Sequence, residues 1–238
     1  MDIKLLPAIL MSLLSFVCLA VILRGLRMAM RKTNWDMVTQ QKIFSRTLVV
    51  LIVWIALVTI LALMGFFTEL STMPPKPVLV IFIPAIILLF LSFSKKGKEL
   101  LIATPPHWLI AMQSFRILVE ILLWRAFVLN LLPVQMTFEG NNFDALSGLL
   151  AIPFAIAVMK KWSPRVVLVY NVIGLALLTN ILVIAVLSMP TPLRYFMNEP
   201  ANTLVGEFPF VYLPAILVVI ALAFHIFSLR QLWLLRKK

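Results

Sequence analysis

The chain has 238 residues, of which 63% are hydrophobic and 13% are charged, and its net charge is +12 at pH 7. A soluble domain needs far more charged surface, so this composition excludes one and indicates that most of the chain is embedded in a lipid bilayer. The excess of Lys and Arg does not indicate nucleic-acid binding, because these residues lie between apolar runs rather than clustered on one face with aromatic residues.

Apolar runs along the chain predict seven transmembrane helices, since about 20 apolar residues are needed to cross the hydrocarbon core. The first run is longer than the core of a signal peptide, about 7 to 15 residues, and it lacks a small-x-small cleavage site, so we expect it to be retained. The predicted fold class is an all-α integral membrane bundle, formed as a single transmembrane domain by residues 1–238. The spans lie near residues 5–23, 48–67, 77–93, 108–132, 145–159, 166–188 and 209–229.

The distribution of positive charge predicts the direction of these helices. Most of the 21 Lys and Arg residues follow the first, third, fifth and seventh spans, whereas the segments at the opposite ends hold only Lys4, Lys76 and Arg194. Because Lys and Arg are enriched in cytoplasmic loops, this bias predicts an N-terminus outside and a C-terminus in the cytoplasm.

The fourth predicted helix carries charge at membrane depth. Gln113, Arg116 and Glu120 fall within about 60° of one another at roughly 100° per residue, so they form one polar stripe that faces the bundle interior. A charged side chain near the bilayer centre costs at least about 2.5 kcal/mol, which makes these residues candidates for a functional site. We expect Arg116 and Glu120, four residues apart, to form an ion pair. Arg125 lies about 140° around the helix from Glu120 and is expected to extend outward or to meet another helix.

The predicted outer loop between the fourth and fifth spans holds further candidate ligand-binding residues. Glu139, Asn142 and Asp144 lie at the mouth of the fourth helix, and their side-chain oxygens are of the kind that binds a hard cation or the polar part of a ligand. The spacing does not match an EF-hand. Asn142 or Asp144 also suits the N-cap of the fifth helix, so helix capping is an alternative role for them.

A second outer loop, residues 189–202, mixes prolines, aromatic residues and amides, which predicts an ordered segment. It would act either as a lid over the bundle or as an interfacial cap with its aromatic residues among the lipid headgroups. Its candidate ligand-binding residues are Arg194, Asn198 and Glu199.

Small and polar residues in the later spans predict helix packing. Ser147, Ala151 and Ala155 recur every four residues on the fifth helix, a pattern that lets helix backbones approach closely. Asn171 and Asn180 are nine residues apart, which places them on opposite faces of the sixth helix. We therefore expect each Asn to make its own interhelical hydrogen bond rather than to line one cavity.

Several chemistries lack the residues that they need. Cys18 is the only cysteine, which excludes an intrachain disulfide and a cysteine-based zinc site. His107 and His225 fall at predicted inner positions of different helices, which disfavours a histidine metal site. No span contains a lysine for a Schiff base, and the chain has no Walker A, GxGxxG or GxSxG motif. The sequence therefore predicts no metal and no cofactor, and it favours a non-enzymatic role.

Five segments together resemble an uncharacterised family of bacterial polytopic integral membrane proteins. They are residues 73–76 (MPPK), 113–116 (QSFR) with Glu120, 132–144 (LPVQMTFEGNNFD), 198–202 (NEPAN) and 227–230 (FSLR). The resemblance extends over most of the chain and implies a multi-pass protein of the bacterial cytoplasmic (inner) membrane. It implies no activity, ligand or catalytic residue.

Ligand binding is the leading functional prediction, with two alternatives. In the leading one, the protein binds or passes a small polar or lipid-like ligand, with Arg116 holding an anionic group and Glu120 positioning Arg116 or exchanging a proton. The first alternative is a membrane-embedded enzyme that uses Glu120 or Glu139 as acid or base. The second is a scaffold of a membrane complex, in which the charge pair only joins helices. A homo-oligomer or a membrane partner is compatible with each role.

Overall fold

The computed structural model of the chain describes residues 3–70 and 72–236. Within these residues the regular structure consists of helices, with no strands. A helix satisfies its backbone hydrogen bonds within one segment, as a bilayer requires, and the predicted all-α class is confirmed. Five positions of the predicted domain, 1, 2, 71, 237 and 238, lie outside the described residues. The helices are α1 (Leu5–Met30), α2 (Met37–Leu63), α3 (Lys76–Phe93), α4 (Lys95–Ala103), α5 (Pro106–Ala111), α6 (Phe115–Val128), α7 (Asp144–Met159), α8 (Arg165–Leu187) and α9 (Val219–Arg236).

Within residues 3–70 and 72–236, five helical segments are long and apolar enough to cross a membrane. They coincide with the first, second, third, sixth and seventh predicted spans. The predicted fifth span corresponds to α7, a shorter apolar helix of 16 residues, and the predicted fourth span is divided. The five segments are α1, α2, α3, α8 and Leu213–Arg236, the last of which includes α9.

Helices α1 and α2 are longer than the spans predicted from hydropathy, because they continue through charged residues. Helix α1 extends past residue 23 and includes Arg27, whose guanidinium carbon lies 3.9 Å from the centroid of the Phe44 ring. The long stem of an arginine lets its charge reach the end of the bundle while its backbone stays helical. Helix α2 begins at Met37 rather than near residue 48, because the Asp36 side chain accepts a hydrogen bond from the Thr39 N–H at 3.1 Å and caps it.

The predicted fourth helix, 108–132, is not continuous. It is divided into α5 and α6 by a 3₁₀ turn, Met112–Ser114, and α6 ends at Val128. The backbone of α7 lies close to this turn, because a Cβ added to Gly148 would lie 2.9 Å from the Ile117 nitrogen and 3.4 Å from the Ser114 oxygen. Glycine at position 148 therefore lets α7 pack directly against the start of α6, which brings the first turn of α7 near the charged side chains of α6.

Polar contacts join the loops at each end of the bundle. At one end, Lys4 pairs with Glu207 at 2.6 Å, and the Gln135 amide donates to the Ser188 hydroxyl at 2.9 Å. We call this the α6–α7 loop end; it comprises residues 64–70, 72–75, 129–143 and 188–212.

The opposite end, which we call the α4 end, is also held by side-chain contacts. It comprises residues 31–36, 94–105 and 160–164. The Trp35 indole donates to the Glu99 carboxylate at 2.5 Å, and the Gln231 amide donates to the Leu101 and Thr104 carbonyls, each at 2.5 Å. These contacts fix α4 against the last turns of α9.

Helix α9 and the π-helical turn before it, Leu213–Val218, form the centre of the bundle. In the most apolar 18-residue window of Leu213–Arg236, 61% of the residues are buried, against 11% for α2. The Trp54 indole of α2 donates to the Ala215 carbonyl at 3.1 Å. This side-chain donor supplements the backbone hydrogen bonds of the π-helical turn, whose pattern differs from that of a regular α-helix. Pro214 lies in this turn, as expected for a proline that marks a departure from regular helix.

The small-residue face predicted on α7 is buried, but only one of the two Asn residues of α8 makes the predicted interhelical hydrogen bond. Ser147, Ala151 and Ala155 are all buried on α7, which packs against α5 and α8. Asn171 is 1% exposed and bonds to the Ser228 hydroxyl, whereas Asn180 bonds to a loop carbonyl at residue 141. The two Asn side chains therefore do face different surroundings.

Candidate ligand site in the bundle core

Arg116 pairs with Asp144, not with Glu120 as predicted. Its Nε donates to Asp144 Oδ2 at 2.7 Å, and its Nη2 donates to Asp144 Oδ1. Arg116 is 2% exposed and Asp144 is 5% exposed, so both charges are away from the surface. The fork of a guanidinium matches the two oxygens of one carboxylate, and a carboxylate on a neighbouring helix meets this geometry here. This pair joins α6 to the first residue of α7.

The remaining Arg116 donors are also occupied. Nη1 donates to the Ser147 hydroxyl at 2.5 Å, and the Gly174 carbonyl lies 3.4 Å from Nη2. His225 Nε2 lies 3.1 Å from Nη1. A guanidinium has donors and no acceptors, so Nε2 accepts this bond and the imidazole proton is on Nδ1. Arg116 thus contacts α7, α8 and α9 at once.

The network continues from His225 to α8. His225 Nδ1 donates to Asn171 Oδ1 at 2.9 Å, and Asn171 Nδ2 donates to the Ser228 hydroxyl at 2.8 Å and to the Val167 carbonyl at 2.7 Å. Every side chain in this part of the network is buried. Because each polar group has a partner, the network stabilises one arrangement of the last four helices instead of leaving buried groups unsatisfied.

His225 lies deeper within its helix than the predicted span, 209–229, indicated. It was predicted at an inner position, but the last helix continues to Arg236, so His225 lies in the middle of the segment at 0% exposure. A signal for its role was present, because His225 and Ser228 are polar residues three apart on one face of an otherwise apolar helix. Gly174 carried no such signal, since its contribution is a backbone carbonyl and close contact.

Glu120 is the second buried carboxyl group of the site, and only one of its two oxygens accepts a hydrogen bond within the described residues. It is 2% exposed, and its Oε2 accepts a hydrogen bond from Asn142 Nδ2 at 2.6 Å. Asn142 Oδ1 in turn accepts from the N–H of Asp144 at 2.9 Å. The predicted N-cap at Asn142 or Asp144 was wrong, because α7 begins at Asp144 and its N-cap residue is Phe143. Glu120 Oε1 has no hydrogen-bond partner among residues 3–70 and 72–236.

A cavity of about 80 Å³ adjoins these carboxyl groups. Arg116, Glu120 and Asp144 form its polar wall, and all other lining residues are apolar. The apolar wall comes from α3, α6, α8 and the π-helical turn, and Met136 and Met189 line it from the α6–α7 loop end. Glu120 Oε1, which lacks a protein partner, is therefore the polar atom of this site that a guest in the cavity would meet.

The cavity reaches the surface of the bundle on one side. The lining residues Val78, Leu182, Val186 and Val218 are only partly buried and belong to α3, α8 and the π-helical turn. Other apolar residues of these helices, such as Phe82 on α3, are exposed on the surface of the bundle. The opening is therefore lined by apolar side chains and lies on an apolar surface.

The other predicted site residues lie away from this cavity. Gln113 is fully buried, and its amide donates to the Ala221 carbonyl at 2.9 Å, so it joins α6 to α9. Arg125 is exposed. Glu139 is exposed and accepts from the Trp124 indole at 2.6 Å.

The candidate ligand-binding residues at the mouth of the fourth helix do not form one cluster. Asn142 and Asp144 turn inward, towards Glu120 and Arg116, whereas Glu139 stays at the surface. Within the described residues, no group of three or more His, Cys, Asp or Glu side chains is arranged to hold a metal ion. Turn formation after α6 separates these side chains although they are close in sequence.

The predicted second outer loop forms its own cluster. Arg194 donates to the Asn198 carbonyl at 3.0 Å and to the Glu199 carboxylate at 2.9 Å. Glu199 also accepts from the Ala201 N–H, and these hydrogen bonds, that of Arg194 first, lower the pKa of the Glu199 carboxyl below its ordinary value of 4.5. The Asn202 N–H donates to the Ser188 carbonyl at 2.9 Å, which fixes the end of the loop to the end of α8. Arg194, Asn198 and Glu199 are not part of the cavity wall.

These features define an all-helical protein with five helices long and apolar enough to cross a membrane, built around a buried polar network and a small cavity. The chain belongs to the family described as a domain of unknown function, DUF8737, whose profile matches residues 73–233. The predicted membership of an uncharacterised family is confirmed. No match was found among curated proteins or among solved structures. The matched region contains the entire network and every residue of the cavity wall, whereas α1 and α2 precede it.

Proposed function

We propose that the protein is a multi-pass protein of the bacterial cytoplasmic membrane that binds a small lipid-like or polar ligand in the bundle core. The observation that carries the proposal is the position of Glu120, whose Oε1 has no partner within the described chain and whose carboxyl group lines a cavity. An acceptor oxygen without a protein donor forms a new hydrogen bond when a guest supplies a donor, so such a guest gains affinity at this point.

Arg116 has a structural role in this proposal, which revises the expectation that it holds an anionic group. Its guanidinium is already bound by Asp144, Ser147 and His225. An incoming anion would have to displace the Asp144 carboxylate, and separating a buried pair in this way costs about 3 to 5 kcal/mol. Arg116 therefore holds α7, α8 and α9 in place around the cavity, and Glu120 is the recognition group.

The two alternative roles have less support. A scaffold that uses the small-residue face of α7 needs that face exposed, yet Ser147, Ala151 and Ala155 are buried within the bundle. An enzyme needs a second reactive group converging on Glu120. The other carboxyl group on the cavity wall, Asp144, is engaged by Arg116. Binding thus requires fewer additional assumptions than catalysis.

Ligand retention tests this proposal directly. Mild extraction followed by native mass spectrometry would compare the wild type with Ala185→Phe, which places a ring at the mouth of the cavity, and with Val183→Phe, which adds the same ring on the exposed face of α8. We expect a bound lipid-like adduct on the wild type and on Val183→Phe, and its loss from Ala185→Phe. The same adduct pattern on all three proteins, or no adduct on any, would refute binding in this cavity.

Seven membrane crossings with the N-terminus outside are part of the proposal. Helix α7 and the interrupted segment 106–128 would supply the two crossings beyond the five long apolar helices, and the Lys and Arg bias supports the direction. Cys18 is buried, so a background-free test is available after Cys18→Ala. An impermeant maleimide should label Asn141→Cys in intact cells and Ser163→Cys only after the membrane is opened. The reverse pattern would invert the topology.

A further inference from the structure

We infer that the ligand carries an ammonium group, or a comparable cationic amine, at the end of an apolar chain. This inference rests on the proposed binding function and names the chemical class of the guest. It follows from the charge of the polar wall, from the size of the cavity and from the place where the cavity opens.

The charge of the polar wall favours a cation. The wall holds one basic and two acidic side chains, Arg116, Asp144 and Glu120, whose formal charges sum to one negative charge. Arg116 and Asp144 neutralise each other through two hydrogen bonds. The remaining carboxyl group, Glu120, has an amide for a partner and one open oxygen. A buried carboxyl group is stabilised in its charged form by a cation beside it, and an ammonium group next to Glu120 Oε1 would supply that cation.

Hydrogen-bonding capacity points the same way. Both oxygens of Asp144 accept from Arg116, whereas Glu120 Oε1 has no donor within the described chain. A guest that brings a donor complements this open oxygen, and an anionic guest, which brings acceptors, does not.

The size of the cavity limits what enters it. Its volume of about 80 Å³ is roughly half that of an engineered apolar cavity of about 150 Å³ that holds a benzene molecule. It has room for an ammonium group and a few methylene groups. The rest of an amphiphile must lie outside the cavity.

The opening of the cavity shows where that remainder goes. The partly exposed lining residues Val78, Leu182 and Val186 lie on α3 and α8, and they are apolar, as is Val218 on the π-helical turn. An alkyl chain that leaves through this opening stays against apolar side chains and then enters the hydrocarbon region of the bilayer. A hydrophilic amine such as a free amino acid would gain nothing from this path, so the guest is an amphiphilic amine rather than a soluble one.

A matched set of probes tests the inference on the full chain in nanodiscs of zwitterionic lipid. Dodecylammonium, dodecanol and dodecanoate share one chain length and differ in the head group. Binding would be measured by titration calorimetry and by the rise in the thermal unfolding midpoint that a native-state ligand causes. The proteins would be the wild type, Glu120→Gln, and Ala185→Phe as a blocked-cavity control that leaves the polar wall unchanged. Partition into the lipid is the same for all three proteins and is subtracted with empty nanodiscs.

We expect dodecylammonium to bind the wild type at least about tenfold more tightly than dodecanol. The ammonium group adds one charge-assisted hydrogen bond to Glu120, and such a bond changes the affinity by about tenfold. This preference should vanish in Glu120→Gln, and all binding should vanish in Ala185→Phe. Equal binding of the amine and the alcohol, blocked by Ala185→Phe, would overturn the cationic class and leave the proposed function intact. A preference for dodecanoate would also overturn it. Binding of no probe, or binding that ignores Ala185→Phe, would refute the cavity as a ligand site and with it the proposed function.

Discussion

Two carboxyl groups in the same network should respond oppositely to the loss of their charge. Asp144→Asn keeps the shape of the side chain but leaves the buried guanidinium of Arg116 opposite a neutral amide. Breaking one side of a buried ion pair costs about 3 to 5 kcal/mol of unfolding free energy, and both partners here are at most 5% exposed. Glu120→Gln retains an oxygen that can accept the hydrogen bond from Asn142, and it removes a carboxyl group that forms no ion pair within residues 3–70 and 72–236. We expect it to change the unfolding free energy by less than about 1 kcal/mol, or to raise it.

Equilibrium unfolding in mixed micelles, with increasing SDS in a mild detergent, would measure both free energies on purified protein. Glu139→Gln is the matched control, since it makes the same carboxyl-to-amide change at an exposed position. Should Glu120→Gln lose as much stability as Asp144→Asn, Glu120 would be a structural partner of Arg116 and the assignment of roles would be incorrect. A loss of unfolding free energy below about 1 kcal/mol for Asp144→Asn would contradict the role of Asp144 as the structural partner of Arg116.

Two further changes test the packing and the loop. Gly174→Ala should lower the unfolding free energy by about 1 to 3 kcal/mol, because the added Cβ would lie 2.4 Å from the His225 ring. Gly25→Ala is the control and should not destabilise the protein, because nothing lies within 4 Å of its added Cβ. Equal effects of the two changes in the same unfolding assay would contradict close packing at Gly174. The contact between Arg194 and Glu199 should be present at neutral pH and be lost as the pH falls below the lowered pKa of Glu199, because a depressed carboxyl pKa stabilises the folded loop only above it. Hydrogen exchange of residues 189–202 should therefore quicken on acidification in the wild type and lose this step in Glu199→Gln; an unchanged step in the variant would show that another group titrates.

Prediction from the sequence succeeded where the determining forces are local. The five long apolar helices follow from hydropathy, because any run of this length must satisfy its backbone hydrogen bonds within itself in a bilayer. The burial of Arg116 and Glu120 was also predictable, since charged residues inside an apolar run turn towards the interior of the bundle. The small-residue face of α7 was recognised for the same reason, from spacing on a single helix.

The interruption between α5 and α6 could not be read from the apolar run that contains it. Hydropathy is the same for a continuous helix and for one that includes a 3₁₀ turn, and the position of this turn beside Gly148 depends on how closely α7 packs. The position of His225 within its helix had a related cause. The last span was predicted from an apolar run that ends near residue 229, whereas the helix continues to Arg236, with contacts such as that of Gln231 with α4 beyond that point.

The amino-acid sequence by itself determined that this is an all-helical chain suited to a bilayer, and that Arg116 and Glu120 are its exceptional residues. Only the tertiary structure decided their partners. Spacing along one helix proposed a pair between them, but a guanidinium binds the carboxylate whose two oxygens it can reach in one plane, and that carboxylate, Asp144, is on the next helix. Glu120 was thereby left with one open oxygen at a cavity, because hydrogen-bond partners are assigned by the packing of helices that are distant in sequence.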